Sequence, residues 1–554
     1  MIQNKLIYIQ IIGLLFLSAS GLFAQEKLTK EVQVVKPYEP IISDAYKITH
    51  LPKITDTIKT IPEIRYTLQT HPMSIGYTID PIKPAKMVGE PLAKLYNSYV
   101  KVGIGTKVIP MIEAYINNKR SKDFLIGAYY KFQNSSAKVK LSNDDKEYAG
   151  YSDNDLRIFG KKFMKNSIIY GDMGLLSNTR FFYGRDVSVD TMFNKEDIRQ
   201  NYLTFDMNAG YKSNYVDSTH INYDFGFSLA YTKDAFENNE FNFRIGGDIN
   251  KIFTSEMVGV SLDLENYSKS ASLDSLNDFI VRINPWMGKF GKKWRINAGI
   301  DIYSDIRGDK TNALYYPVAN LEYDIANHYL IPYVGVDGKL EVNSFNRISK
   351  INPFIVPGTS LINTDHKVIL YGGVRGNFNS TTYYNFKLTY SLVDDLPLYV
   401  NDLANTDSTG NQFSVVYDDV SIVNYFGEFS VSPSEKLTIN VKANYRDYKM
   451  TKEAKAWHKP SFDLSFTTKY SLGQKIILKA DILAIGKRYT KLDDTGSIGE
   501  LESAVDINLG AEYRYSKVLS GFVLLNNLLS DDYCEWSNYP SYGLNILGGI
   551  TYSF

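Results

Sequence analysis

The chain has 554 residues, with 61 Lys plus Arg against 61 Asp plus Glu, a balance that excludes the strongly basic footprint of a nucleic-acid or anionic-surface binder. Its single cysteine, Cys534, excludes an internal disulfide framework and a lipid-bearing cysteine behind a signal. What remains to be explained is an aromatic excess, 43 Tyr and 29 Phe against only 4 Trp.

In chain order, Lys5 comes first, then the apolar run LIYIQIIGLLFL at 6–17 and the small, polar SASGLFAQ at 18–25. This layout predicts a secretory signal peptide over residues 1–24, cleaved after Ala24 or, because Leu22 sits where a small residue is preferred, after Ser20. The run is shorter than the ~20 residues a membrane-spanning helix needs.

Residues 25–96 carry Pro37, Pro40, Pro52, Pro62, Pro72, Pro81, Pro84 and Pro91, while the remaining 458 residues hold ten prolines. Proline removes a backbone donor and fixes φ, so this stretch reads as an irregular or extended N-terminal segment.

From Asn97 onward the pattern is alternation. AVDINLGAEYRY (504–515) sets Val505, Ile507, Leu509, Ala511, Tyr513 and Tyr515 against Asp506, Asn508, Glu512 and Arg514. LTINVKANYR (437–446) and SFDLSFTTKY (461–470) repeat it. One such strand would suit a soluble sandwich. Strand after strand with charges on one row, Tyr-ended apolar residues on the other and no intervening helices predicts a membrane barrel.

Strands are expected at 98–107, 110–118, 123–133, 154–163, 167–177, 198–212, 220–233, 239–252, 256–267, 278–290 and 293–304. They continue at 312–325, 329–342, 367–378, 381–392, 413–431, 436–447, 460–471, 474–487, 504–516, 518–528 and 543–554. Tight joins (164–167, 254–256, 291–293, 379–381, 432–435, 472–475) alternate with mostly long ones (178–197, 268–277, 343–366, 393–412, 448–459, 488–503, 529–542). Short periplasmic turns alternating with longer external loops predict an all-β, transmembrane antiparallel β-barrel of the outer membrane over 97–554, of about 22 strands (20–24), with both termini periplasmic. The final alternation, ending on Ile550, Tyr552 and Phe554, predicts the strand that closes the barrel against the first, and its aromatic end resembles the signal read by the outer-membrane insertion machinery.

A ring of this size has a diameter of roughly 40–45 Å and normally holds a plugged lumen. The N-terminal segment is therefore expected to enter the lumen or dock a periplasmic partner, with external loops or another protein completing the seal.

No catalytic or cofactor constellation stands out. His50, His71, His220, His328, His366 and His458 lack zinc spacing and read as isolated residues at interfaces. The acidic stretch 142–155 offers Asp144, Asp145, Glu147, Asp153 and Asp155 as oxygen donors for calcium, beside the plainer reading of a solvated loop. Asp506, Glu512, Arg514, Lys442, Arg446, Asp463 and Lys469 are expected to line a hydrated, salt-bridged lumen wall rather than an ion filter.

The last hairpin, 521–554, resembles the closing hairpin of TonB-dependent receptors. It carries Asn526-Asn527-Leu528, the aromatic pair Tyr533 and Trp536, Tyr539-Pro540 with Gly543, then Gly548, Tyr552 and Phe554. The resemblance implies a 22-stranded barrel of the type abundant in Bacteroidota, an outer-membrane location, and transport. Those receptors carry a globular plug of well over a hundred residues, for which residues 25–96 are too few. Within them EVQVV (31–35), with Glu31, Val32, Val34 and Val35, resembles the segment offered to TonB by strand addition. The missing plug favours a non-enzymatic barrel subunit of a larger outer-membrane assembly, with other envelope proteins as partners. Solute transport, TonB-coupled or passive, is the alternative.

Overall fold

In the computed structural model the described residues are 96–554, apart from 109, 120, 186–193, 216, 274–275, 403–409 and 494–495. The expected signal peptide, the proline-rich stretch as far as residue 95 and the segment Glu31, Val32, Val34 and Val35 lie outside them.

Twenty-two strands form one closed antiparallel sheet. The first eight are β1 Ser98–Gly105, β2 Met111–Asn117, β3 Phe124–Ser135, β4 Tyr151–Phe163, β5 Ser167–Phe181, β6 Arg199–Ser213, β7 Ile221–Lys233 and β8 Asn239–Ile252. Next come β9 Glu256–Lys269, β10 Asp278–Phe290, β11 Trp294–Arg307, β12 Lys310–Tyr323, β13 Ile331–Glu341, β14 Thr364–Asn379 and β15 Thr382–Asn401. The last seven are β16 Phe413–Ser434, β17 Leu437–Met450, β18 Phe462–Leu472, β19 Ile476–Ile485, β20 Ala504–Arg514, β21 Leu519–Asn526 and β22 Asn545–Ser553. Each predicted strand has its counterpart.

β1 pairs with both β2 and β22, with Val102 opposite Ile550 and Tyr99 opposite Ser553. The Phe554 backbone completes the seam, its N–H donating to the Ser98 carbonyl (3.0 Å) and its carbonyl accepting from Ser98 N–H (3.1 Å). Closure leaves no free edge, the condition for a sheet in lipid.

Period-2 alternation now has a physical meaning. Val102, Ile104, Ile116, Ile126, Ile158, Met173, Phe205 and Ile245 stand exposed on one row, as a lipid-facing wall requires. The opposite row packs Tyr99, Tyr115 and Tyr129 ring against ring, with centroids 5.8 and 5.6 Å apart, beside paired charges. At the seam the inward row is glycine where the backbones crowd. A Cβ on Gly549 would stand 2.0 Å from the Val102 carbonyl oxygen and 2.7 Å from Gly103 Cα. Gly549→Val is therefore expected to prevent closure, read as loss of the heat-modifiable folded band on a gel, whereas the change in lipid-facing size Ile550→Val should keep that band.

One rim carries the short turns, such as 164–166, 253–255, 291–293, 380–381 and 473–475, together with both ends of the barrel. The other carries the long joins, including 182–198, 342–363, 486–503 and 527–544. One expectation needs correction: 393–412 is not all loop. β15 continues to Asn401 through a register shift between Val393 and Leu396, with Asp395 at φ 54. The bulge breaks the alternation that marks a strand, yet beyond it Leu398 and Val400 bury themselves against Trp457.

Candidate functional site

The long joins do not splay into solvent. Phe181, Phe182, Ile198, Tyr202, Leu273, Phe345, Ile348, Phe354, Ile355, Leu361, Tyr399, Phe413, Trp536 and Tyr539 form one buried cluster. They come from the facing ends of β5 and β6 with the join between them, joins β9–β10 and β13–β14, the ends of β15 and β16, and join β21–β22, positions spread around the ring. A contiguous cluster drawn from such separated strands has to bridge the mouth.

Its centre is a strap, residues 342–363. Ser344 caps a short helix, α1 (Phe345–Ile351), its hydroxyl accepting from Arg347 N–H at 3.2 Å. Phe345 and Ile348, three residues apart, share the buried face. Pro353 follows the C-cap Asn352 and prevents continuation. The strap then turns at Pro357-Gly358, where Gly358 takes φ 84, a left-handed conformation open to glycine at no steric cost.

The strap is fastened on separate sides of the mouth. On one, the Glu240 carboxylate at the top of β8 is fully buried and accepts from Phe345 N–H at 2.6 Å and, more weakly, from Asn346 N–H at 3.4 Å. Beside it the Tyr202 hydroxyl of β6 donates to the Pro353 carbonyl at 2.9 Å. On the other, Phe413 N–H donates to the Phe354 carbonyl (2.8 Å) and Val356 N–H to the Phe413 carbonyl (2.9 Å). Above these bonds the Phe354 ring stacks on Tyr539 at 3.8 Å. The orphan donors of the first helical turn thus find a partner on the barrel wall rather than in water.

The remaining joins lock to one another. His458, in join β17–β18, is buried. Its Nδ1–H donates to the Tyr399 carbonyl (2.9 Å), and its Nε2 accepts from Ser537 N–H (3.2 Å). Burial pushes its pKa down from 6.5 to about 4, and the neighbouring Arg488 and Lys459 charges act in the same direction. The imidazole is therefore neutral at pH 7. Arg488 reaches into join β21–β22 and donates to the Cys534 and Glu535 carbonyls, both at 2.7 Å.

Below the cap the inner wall is charge-paired. Arg157 lies between Asp172 and Asp206, at 2.8 Å from the latter. Asp263 links Arg244 (2.7 Å) to Arg282 (2.9 Å), and Arg282 continues to Asp301 (2.7 Å). Lys442 pairs with Glu428 at 3.0 Å, and Arg446 with Asp463. Along this wall a recess of about 440 Å³ opens beside Tyr170, Asn208, Arg244 and Arg282. Such a wall suits a polar passage more than a single-sign filter.

Among the residues singled out from sequence, the acidic set is split. Asp144 lies 3.3 Å from Lys140 and Asp145 lies 3.0 Å from Arg185, in the loop ahead of β4. Asp153 pairs with Arg180 at 2.6 Å on β4, and Asp155 accepts from the Tyr129 hydroxyl at 3.3 Å. Among the described residues no three metal-ligating side chains come together. Ile550 and Tyr552 stand on the lipid-facing row of β22, with the Phe554 ring stacked 5.6 Å from Tyr552. His458 differs from the expectation of an isolated interface residue because its two ring nitrogens each find a backbone partner inside the cap. The available clue was aromatic content in loops: FFYG (181–184), NPF (352–354), AWH (456–458) and CEWSNYP (534–540) are too apolar for solvated turns.

No protein-family model matches the sequence, and no curated protein matches it. The structure is nevertheless similar to solved structures. One is the ferric-catecholate import receptor Fiu of E. coli K12 in its closed form (TM-score 0.62, 10% identity, 83% of this chain and 82% of that one). Another is the siderophore receptor PirA of Acinetobacter baumannii (TM-score 0.63, 9% identity, 83% and 81%). A third is the FrpB iron transporter of Neisseria meningitidis (TM-score 0.65, 10% identity, 84% and 82%). At such identities what this chain shares with these receptors is the fold, that of a large antiparallel membrane barrel.

Proposed function

We propose that this protein is a non-enzymatic outer-membrane barrel for solute uptake, with the loop-built cap as its outer gate and the short-turn rim in the periplasm. The observation that carries this reading is the strap 342–363, fastened across the mouth to Glu240 and Tyr202 on one side and Phe413 on the other. A lid held by a few buried polar contacts can be released by a ligand that competes for them, and a charge-paired wall lies beneath it. The shared fold of import receptors points the same way. For the subunit of a larger assembly no contact or surface among the described residues speaks specifically. Within this reading Glu31, Val32, Val34 and Val35 serve as a periplasmic docking strand, and Ile550, Tyr552 and Phe554 as the insertion signal.

Planar-bilayer recordings test the gate. The intact protein should stay closed or nearly so, and replacing residues 343–363 by a short Gly-Ser linker should raise the conductance step roughly tenfold or more, as expected for a barrel whose wide lumen loses its closure. Large steps from the intact protein, or identical steps from both, would remove the cap from the mechanism.

A further inference from the structure

A second recess lies outside the cap, on the long-join rim beside the β1–β22 seam, with a volume of about 560 Å³. Three separate segments build it. Thr106 and Lys107 come from the join after β1. Lys138, Lys140 and Lys146 come from a small hairpin within join β3–β4, whose strands are Lys138–Lys140 and Lys146–Tyr148. Asp532 and Leu544 come from join β21–β22. Four lysines and a single acidic residue therefore line it.

Three of these four lysines are not committed elsewhere. Lys140 has only an exposed contact with Asp144 at 3.3 Å, and among the described residues Lys107, Lys138 and Lys146 have no carboxylate within ion-pair distance. The floor beneath them is fixed. Lys107 N–H and the Thr106 hydroxyl both donate to Asn545 Oδ1 at 3.3 Å, the Ser135 hydroxyl donates to the Lys107 carbonyl at 2.5 Å, and the Tyr542 hydroxyl donates to the Ala149 carbonyl. Val139 and Leu141 anchor the hairpin by burial.

We infer that this recess binds the phosphate groups of a multiply phosphorylated membrane lipid in the leaflet on the long-join side. The excess of ammonium groups calls for more than one negative charge, and Lys acts toward phosphate as a compact point charge. The position selects a lipid over a free anion. Thr106 follows Ile104, and Leu544 precedes Ile546, on the row that faces lipid, and both isoleucines are exposed. A headgroup can thus enter the recess while its chains lie along the hydrophobic wall. The inference is independent of the uptake reading, since it concerns the outer perimeter rather than the lumen.

The test uses the full chain purified in neutral detergent, with diphosphoryl lipid A, the same lipid dephosphorylated, and tripolyphosphate as probes in a direct binding assay. Diphosphoryl lipid A is expected to bind at least about tenfold more tightly than the dephosphorylated form, and the double variant K138Q/K146Q to lose about 10- to 30-fold, at roughly 1 kcal/mol per surface cation. The corresponding pair at the opposite rim, K161Q/K162Q, should leave binding unchanged. Equal binding of phosphorylated and dephosphorylated lipid on the native chain overturns the site without recourse to any variant. So does a K138Q/K146Q variant that retains the heat-modifiable band and native affinity. Tripolyphosphate binding as tightly as the lipid overturns the lipid source.

Discussion

Glu240→Ala is expected to raise the open population of the strap by about two orders of magnitude while leaving the barrel intact. The carboxylate has no contact with water and is the acceptor for Phe345 N–H at 2.6 Å. A hydrogen bond to a charged acceptor contributes about 1.5–3 kcal/mol, and truncation leaves the N–H buried without a partner. A loss near 3 kcal/mol corresponds to about 100-fold, at 1.4 kcal/mol per tenfold. The substitution leaves no stranded cation, because Lys269, which stands opposite Glu240 in the β8–β9 register, is engaged by Asp278 at 2.6 Å. Glu240→Gln retains a carbonyl acceptor in the same place and should lose nearer 1 kcal/mol. Amide exchange of residues 343–363 reads the difference directly: those amides should exchange faster in the alanine variant while β8 and β9 remain protected. Native-like protection of Phe345 in that variant would show that the apolar cluster alone holds the strap.

The same contacts explain which parts of the molecule could be read from sequence. A membrane barrel writes its architecture locally. Val102 and Ile104 must face lipid, Lys101 just before them must not, and the rule repeats on every strand. The cap is different in kind. Glu240 sits in NNEFNF, where its charge looks like one more inward-facing wall residue, and its partner Phe345 lies 105 residues away. Nothing local distinguishes a carboxylate that will meet a helix end from one that will meet an arginine. The extension of β15 was hidden for a related reason: Asp394, Asp395 and Pro397 break the alternation at the bulge, and the strand's second half is fixed by Trp457 from another join. Aromatic loops signalled burial, but not the surface against which they would pack.

Acidification is expected to loosen the lock between joins β17–β18 and β21–β22. His458 bridges them only as the neutral tautomer, with Nδ1–H toward Tyr399 and a bare Nε2 toward Ser537 N–H. A proton on Nε2 would replace this acceptor with a second donor and add a cation beside Arg488 and Lys459, with no carboxylate among the groups that set its pKa. The sign follows from linkage. The unfolded or undocked ring titrates near 6.5 and the docked one near 4, so the docked state binds fewer protons between those values. Stability of the lock is complete above pH 6.5, falls as pH drops through that window, and levels off below pH 4, a loss of up to about 3 kcal/mol. Amide protection in 451–461 and 527–544, corrected for intrinsic exchange, should decline from pH 7.5 to 4.5, while protection in β8 and β9 stays level. His458→Gln keeps a side-chain donor and acceptor but cannot titrate, so its protection should be lower at pH 7.5 and nearly flat with pH. An equally steep decline in that variant would assign the acid response to other groups, the carboxylates of the outer joins first among them.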